Sequence, residues 1–269
     1  MTRTIRASAL VALTAVGLAA LVGCSAPAPD AAPASPAATT EADALSGELT
    51  IFAAASLTAA FDELAAEFEA QHPDVDVLPI SYDGSSVLAT QLIEGATADV
   101  FASADEKNLA KVTEAGLAGS GEAFATNVLQ IAVAPGDPKR VETLADLADP
   151  ALTVVVCAAE VPCGSASRTL LDAAGVTLTP ASEEQNVTAV LSKVKSGEAD
   201  AGLVYATDVK AAGDAVTGIE IDGADAATNI YPIAALKGTK NPEAAKAFVA
   251  FVLSDAGQKV LTTLGFGAP

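Results

Sequence analysis

"ELTIFAAASLTAAFDELAAEFE", residues 48–69, carries the choice of fold. Its first part, "ELTIFAAA" (48–55), is a short apolar run that reads as a strand. The remainder places Leu57, Phe61, Leu64 and Phe68 on one helical face. A strand running straight into an amphipathic helix is the building unit of an α/β fold, and Ser56 stands at the turn between the two.

The same alternation continues outward. "VDVLPISY" (75–82), "ADVFASA" (98–104), "VLQIAVAP" (128–135), "LTVVVCA" (152–158), "ADAGLVYA" (199–206) and "NIYPIAAL" (229–236) read as strands. "SSVLATQLIEG" (85–95) and "DEKNLAKVTEAG" (105–116) read as helices that stop at glycine. "NVTAVLSKVKSG" (186–197) puts Val187, Val190, Leu191 and Val194 on one face, with Asn186 as N-cap and Gly197 as stop. Two helices, "NPEAAKAFVAFVLS" and "DAGQKVLTTLG", close the chain, and no internal repeat is present. The pattern predicts an α/β fold with mostly parallel sheets flanked by helices.

The first 46 residues read differently. Residues 1–23 carry Arg3 and Arg6 and then an apolar run, the pattern of a secretory signal peptide. "LVGC" (21–24) resembles the lipobox of bacterial lipoproteins, which implies that Cys24 is acylated. Residues 24–46 are rich in Ala, Pro, Ser and Thr, without an apolar period, and read as a disordered tether. Extended as polyproline, its 22 residues after Cys24 reach roughly 70 Å at about 3.1 Å each. The protein is therefore expected on the outer face of the cell membrane, lipid-anchored.

Charge and composition exclude several classes. The chain has 34 Asp and Glu against 14 Lys and Arg. Two of those basic residues belong to the leader, so the remainder carries −22. Nucleic-acid binding needs a basic footprint and is excluded. His72, in "QHPD", is the chain's one histidine, so a histidine metal site or a Ser-His-Asp triad is not expected. His72 reads as a solvated turn residue.

Parallel sheets place ligands outside the carboxyl ends of their strands, at helix N-termini. Those turns carry Ser56, Ser85, the run Cys163-Gly164-Ser165, and Asn186-Val187, with no Lys or Arg among them. Converging, they would offer N–H groups, hydroxyls and helix dipoles to an anion; taken singly, Ser and Asn are ordinary N-caps. Cys157 and Cys163, with five residues between them, could be a redox pair, a metal clip or a brace.

"LTIFAAASLTAAFDELAAEFE", "GSSVLATQLIEGATADVFASADEKNL", "NVTAVLSKVKSGEADAGLVYATD", "YPIAALKGTKNPEAAKAFVAFVLSDAGQKVL" and "LGF" together resemble the periplasmic molybdate-binding proteins of ABC importers. The likeness runs from about Glu48 to Phe266. It implies the two-lobed periplasmic-binding-protein fold (type II), with lobe one about 47–126 plus 228–269, lobe two about 127–227, and the ligand cleft between. It implies oxyanion binding at Ser56, Ser85, Cys163, Val187 and Tyr205. The serines would give hydroxyl and N–H donors, Cys163 and Val187 their backbone N–H, and Tyr205 its phenol. Molybdate, with tungstate beside it, would be the ligand, held without direct metal ligands. An ABC permease would be the partner, the protein a monomer, and neither a cofactor nor a catalytic residue is implied.

A site made only of donors suits molybdate, tungstate or sulfate, which carry no proton near neutral pH, and disfavours hydrogen phosphate. Two residues depart from the family's pattern. Cys163 stands where alanine is usual, which leaves backbone donation intact. Asp83 precedes Gly84 as a turn residue; pointing into the cleft, it would favour a protonated oxyanion.

The alternatives are a binding protein for sulfate or phosphate, a ferric-ion binder, a structural surface lipoprotein, and a thiol oxidoreductase using Cys157 and Cys163. Redox motifs favour C-x-x-C with a cationic neighbour, and here Arg168 is the first cation. Iron would want several Tyr or carboxylate ligands. In an oxidising compartment, two cysteines this close are expected as a disulfide that braces the Cys163 N–H.

Overall fold

A computed structural model describes residues 45–269. The expected leader, Cys24 and all but the end of the tether lie outside the described residues. The chain begins with β1 (Gly47–Leu49), β2 (Ile51–Ala54), α1 (Thr58–Gln71), β3 (Val75–Val77) and β4 (Ser81–Asp83). Next come α2 (Ser85–Ile93), β5 (Val100–Ala102), α3 (Glu106–Glu114), β6 (Glu122–Asn127) and β7 (Leu129–Val133). They are followed by β8 (Val154–Cys157), α4 (Pro162–Ala173), β9 (Ser182–Glu184), α5 (Val187–Ser196) and β10 (Ala201–Tyr205). The chain ends with α6 (Ala206–Ala212), β11 (Thr217–Glu220), β12 (Asn229–Ala235), α7 (Pro242–Leu253) and α8 (Asp255–Thr263).

Two five-stranded sheets result, ordered β4-β2-β5-β12-β6 and β11-β7-β10-β8-β9. The chain passes from the first to the second between Asn127 and Leu129, and returns between Glu220 and Asn229. Both sheets belong to one compact unit. As expected, the sheets are mostly parallel: in each, four strands point the same way and a single strand, β12 or β7, runs against them. β2 is parallel to β4 and β5, and β8 to β9 and β10. β12 is antiparallel to β5 and β6, and β7 to β10 and β11. A parallel neighbour requires a crossover connection. β7 and β12 are instead brought in by the segments that cross between sheets.

The helices cover the sheets as their apolar faces dictate. Phe61, Leu64 and Phe68 of α1 are buried, and Phe68 meets Phe248 of α7 edge-on at 5.3 Å between ring centroids. The other face of the first sheet forms a separate core, in which Phe52 and Phe101 pack with Leu88, Leu92, Leu109 and Val112 of α2 and α3. In α5, Val187, Val190 and Val194 are buried, Asn186 Oδ1 accepts from Ala189 N at 2.9 Å, and Gly197 ends the helix at φ 75°. Only glycine adopts that backbone without strain. His72 differs from expectation: it closes α1 half-buried, its ring 4.6 Å from that of Phe68. No helix among the described residues is long and apolar enough to cross a membrane.

Candidate functional site

Five strand ends meet at one cavity between the two sheets. β2 delivers Ser56, β4 delivers Asp83, Gly84 and Ser85, β8 and its loop deliver Cys163, β9 leads to Val187, and β10 ends at Tyr205. These residues line the cavity with Ala54, Ala55, Ala104, Val161 and Pro162. The structure thus brings Ser56, Ser85, Cys163, Val187 and Tyr205 together. The cavity volume is about 10 Å³, far below the ~300–1,000 Å³ of sites for organic ligands.

The walls supply donors. Helices α2 and α4 start at the cavity with no side chain capping them. The first N–H groups of a helix have no partner within it, so Ser85 and Cys163 present theirs to the cavity. Ser85 Oγ, fully buried, accepts from Ala104 N at 2.9 Å, which leaves its proton for another acceptor. Ser56 Oγ lies 3.0 Å from Tyr231 Oη. Tyr205 is 1 % exposed, and its hydroxyl has no hydrogen-bond partner among the described residues. Burial pushes this phenol's pKa well up, helped by the nearby Tyr231, Asp105 and Asp208, so Tyr205 keeps its proton. A buried polar group without a partner costs free energy unless a ligand or water satisfies it.

Asp83 is the one charged residue on the wall. Its Oδ1 accepts from Gly84 N at 2.7 Å and from Asn186 Nδ2 at 2.8 Å. It therefore does more than shape a turn: Asp83 bridges the end of β4 to the N-cap of α5, across the cavity. Gly84 lies in the same contact. A Cβ there would stand 2.1 Å from the Gln185 carbonyl oxygen.

A disulfide joins Cys157, the last residue of β8, to Cys163 in the first turn of α4, with Cα atoms 5.7 Å apart. Neither sulfur is then a free thiol for redox chemistry or a metal. Among the described residues, no group of three or more His, Cys, Asp or Glu side chains could hold a metal ion.

Behind Tyr205, Asp208 is buried, and its Oδ2 accepts from Tyr205 N at 2.9 Å. Burial pushes the Asp208 carboxyl up to about 7, against the downward pull of that N–H. The folded state thus holds a proton between about pH 4 and 7 that the unfolded chain releases, and stability falls as pH rises through that window. Asp208→Asn keeps an acceptor for Tyr205 N and removes this slope. In urea unfolding from pH 4 to 8, the variant should gain on wild type as pH rises to 7 and then run parallel. Parallel curves throughout would refute the assignment.

Sequence reasoning overlooked Tyr231, Asn127 and the Asn186 side-chain amide as neighbours of the site. The first two sit in runs that read as strand or loop, and only tertiary pairing of β12 with β6 brings them to Ser56.

Known proteins fix the class. The model of the bacterial extracellular solute-binding protein family matches residues 49–267. The chain belongs to this family. Within the solute-binding proteins, it is 45% identical over 258 residues to the molybdate-binding protein ModA of Mycobacterium tuberculosis, covering 96% of both chains. It is 32% identical to the molybdate-binding protein ModA of Haemophilus influenzae, over 84% of this chain and 92% of that one. The periplasmic molybdate-binding protein of Azotobacter vinelandii superposes with a TM-score of 0.71 at 23% identity, over 82% of this chain and 99% of that one. The sulfate-binding protein SubI of Mycobacterium tuberculosis superposes with a TM-score of 0.69 at 18% identity, over 81% and 86%. At such identities these two structures establish the fold: two α/β lobes with the ligand cleft between. Their different ligands leave the choice of anion to the residues of the site.

Proposed function

We propose that the protein captures molybdate, and tungstate with it, outside the cytoplasmic membrane and delivers it to an ABC permease. The observation that carries this is the convergence of two uncapped helix starts, two serine hydroxyls and the unpartnered Tyr205 phenol on one small cavity. Ser56, Ser85 and Tyr205 act as side-chain donors, and Cys163 and Val187 as backbone donors. Hydrogen bonds to a charged partner contribute about 1.5–3 kcal/mol each. Neutral donors suffice because the anion brings the charge. The 45% identity to a molybdate-binding protein favours molybdate within the oxyanion class.

In this reading, 47–126 with 228–269 and 127–227 are the lobes that close on the ligand. The Cys157–Cys163 disulfide braces the Cys163 N–H. Cys24 is the lipid anchor and 24–46 the tether of a monomer that binds and does no chemistry. Net charge argues for slow capture at low salt, since its repulsion is screened beyond roughly 8–10 Å at physiological salt.

A thermal-shift panel of molybdate, tungstate, sulfate, phosphate and Fe³⁺ tests the proposal. Molybdate and tungstate should raise the melting temperature most. Hydrogen phosphate is the second reading, because Asp83 on the wall could accept its proton. Stabilisation by phosphate and not by molybdate would decide for it.

Tyr205→Phe separates binding from folding. It should lower molybdate affinity about 10- to 100-fold, while the ligand-free protein melts at the same temperature or higher, because an unsatisfied buried hydroxyl is gone. Calorimetric titration and a melting curve measure the two. Unchanged affinity would remove Tyr205 from the site.

A further inference from the structure

Ser56 and Ser85 are useful to a proton-free anion only if their hydroxyl hydrogens point into the cavity. A serine hydroxyl both donates and accepts, so something behind each must fix its direction. For Ser85 that is the Ala104 N–H at 2.9 Å, which can only donate. For Ser56 it is Tyr231, whose hydroxyl lies at 3.0 Å.

The direction of the Ser56–Tyr231 bond follows from the groups around it. A phenol is more acidic than an aliphatic alcohol, so it is the better donor of the two. Asn127 Nδ2, 3.5 Å from Tyr231 Oη, can offer only hydrogens. Which end of that amide is nitrogen is settled by Asn127 Oδ1, which accepts from Val128 N at 3.0 Å. The same Nδ2 also donates to Thr207 Oγ1 at 2.8 Å. Tyr231 is fully buried, so no bulk water competes. Its ring is held edge-on by Phe124, Tyr205 and Phe266, with centroids 5.6–6.2 Å apart. The phenol proton therefore goes to Ser56.

We propose that Tyr231 is a specificity-determining residue: by donating to Ser56 Oγ it commits that hydroxyl to donating into the cavity, and so selects against oxyanions that carry a proton. The inference rests on the oxyanion reading of the site. Asp83, the other acceptor on the wall, has its Oδ1 held by Gly84 N and Asn186 Nδ2, and its Oδ2 is the same with or without the Tyr231 hydroxyl, so a change on removing that hydroxyl reports on Ser56. Without the Tyr231 proton, Ser56 Oγ is free to accept from a protonated ligand.

The test is titration calorimetry of molybdate, sulfate and phosphate at pH 7 on the wild type and on Tyr231→Phe. The preference for molybdate over phosphate should fall about tenfold or more, while sulfate keeps its ratio to molybdate. In a Ser56→Ala background the same change should leave the preference unaltered, because the effect runs through Ser56. Asn127→Asp is the independent variant should Tyr231→Phe fail to fold. Its carboxylate accepts the hydrogen bond from the Tyr231 hydroxyl, which stays protonated, reverses the bond to Ser56, and should lower the preference likewise. A preference unchanged in the folded variants, or one that shifts equally without Ser56, overturns the proposal and leaves the molybdate reading standing. A wild type that does not bind molybdate overturns that reading first, and this inference with it.

Discussion

Gly84→Ala should lower molybdate affinity about a hundredfold while leaving the ligand-free fold intact. The backbone at Gly84 has φ −60° and ψ 136°, a conformation open to any residue. What excludes a side chain is space: the new Cβ would lie 2.1 Å from Gln185 O and 3.3 Å from Val161 Cγ1. Gln185 and Val161 belong to the half of the molecule built on the second sheet, and Gly84 to the half built on the first. The methyl group therefore acts as a wedge between the halves. The Asp83–Asn186 bond at 2.8 Å and the Val187 N–H would be held back with it. Loss of one or two charge-assisted bonds at about 1.5–3 kcal/mol each gives the hundredfold figure. Calorimetry measures the affinity, and small-angle scattering with and without molybdate measures closure. Wild-type affinity together with ligand-induced compaction would show that the contact yields.

How much of this was legible in the sequence depends on the range of the interaction. The strand–turn–helix at 48–69 was readable because its signals are local: an apolar run, then Leu57, Phe61, Leu64 and Phe68 in helical register. All four are buried as that register requires. The Asn186 cap and the Gly197 stop were readable for the same reason. β6, β9 and β11 carry Glu122, Glu183 and Gly218 among short polar runs, and only their neighbours in the sheet make them strands. The 75–82 run reads as one strand and is two, because Pro79 has no N–H to pair. At the site, the helix-start residues could be named because α/β geometry dictates where ligands sit. The partner of Asp83 could not. It lies 103 residues away in sequence, and the bond exists only once the two sheets face each other.

Gly164→Ala should cost about 3 kcal/mol of stability, a drop of roughly 6–12 °C in melting temperature for a chain of this size. A Cβ at Gly164 would stand 1.9 Å from Ala158 O and 2.5 Å from Cys157 O. Those carbonyls belong to the last residue of β8 and the first residue of the loop that leads to α4, and this segment has little freedom to move aside. Ala158 N is bonded to Glu184 O at 2.9 Å, Val161 N to Ala158 O at 3.0 Å, and the Cys157–Cys163 disulfide closes it. The clash must then displace the first turn of α4, which carries the Cys163 N–H. Affinity for molybdate should fall along with stability, unlike the Tyr205→Phe case, in which the two part. Opening the disulfide restores freedom to the loop, so reduction should cost the Gly164→Ala variant less stability than it costs the wild type. Melting curves of both proteins with and without dithiothreitol give the four values needed. Equal losses on reduction would mean that the strain is absorbed elsewhere in α4, and that the disulfide does not hold this wall of the cavity in place.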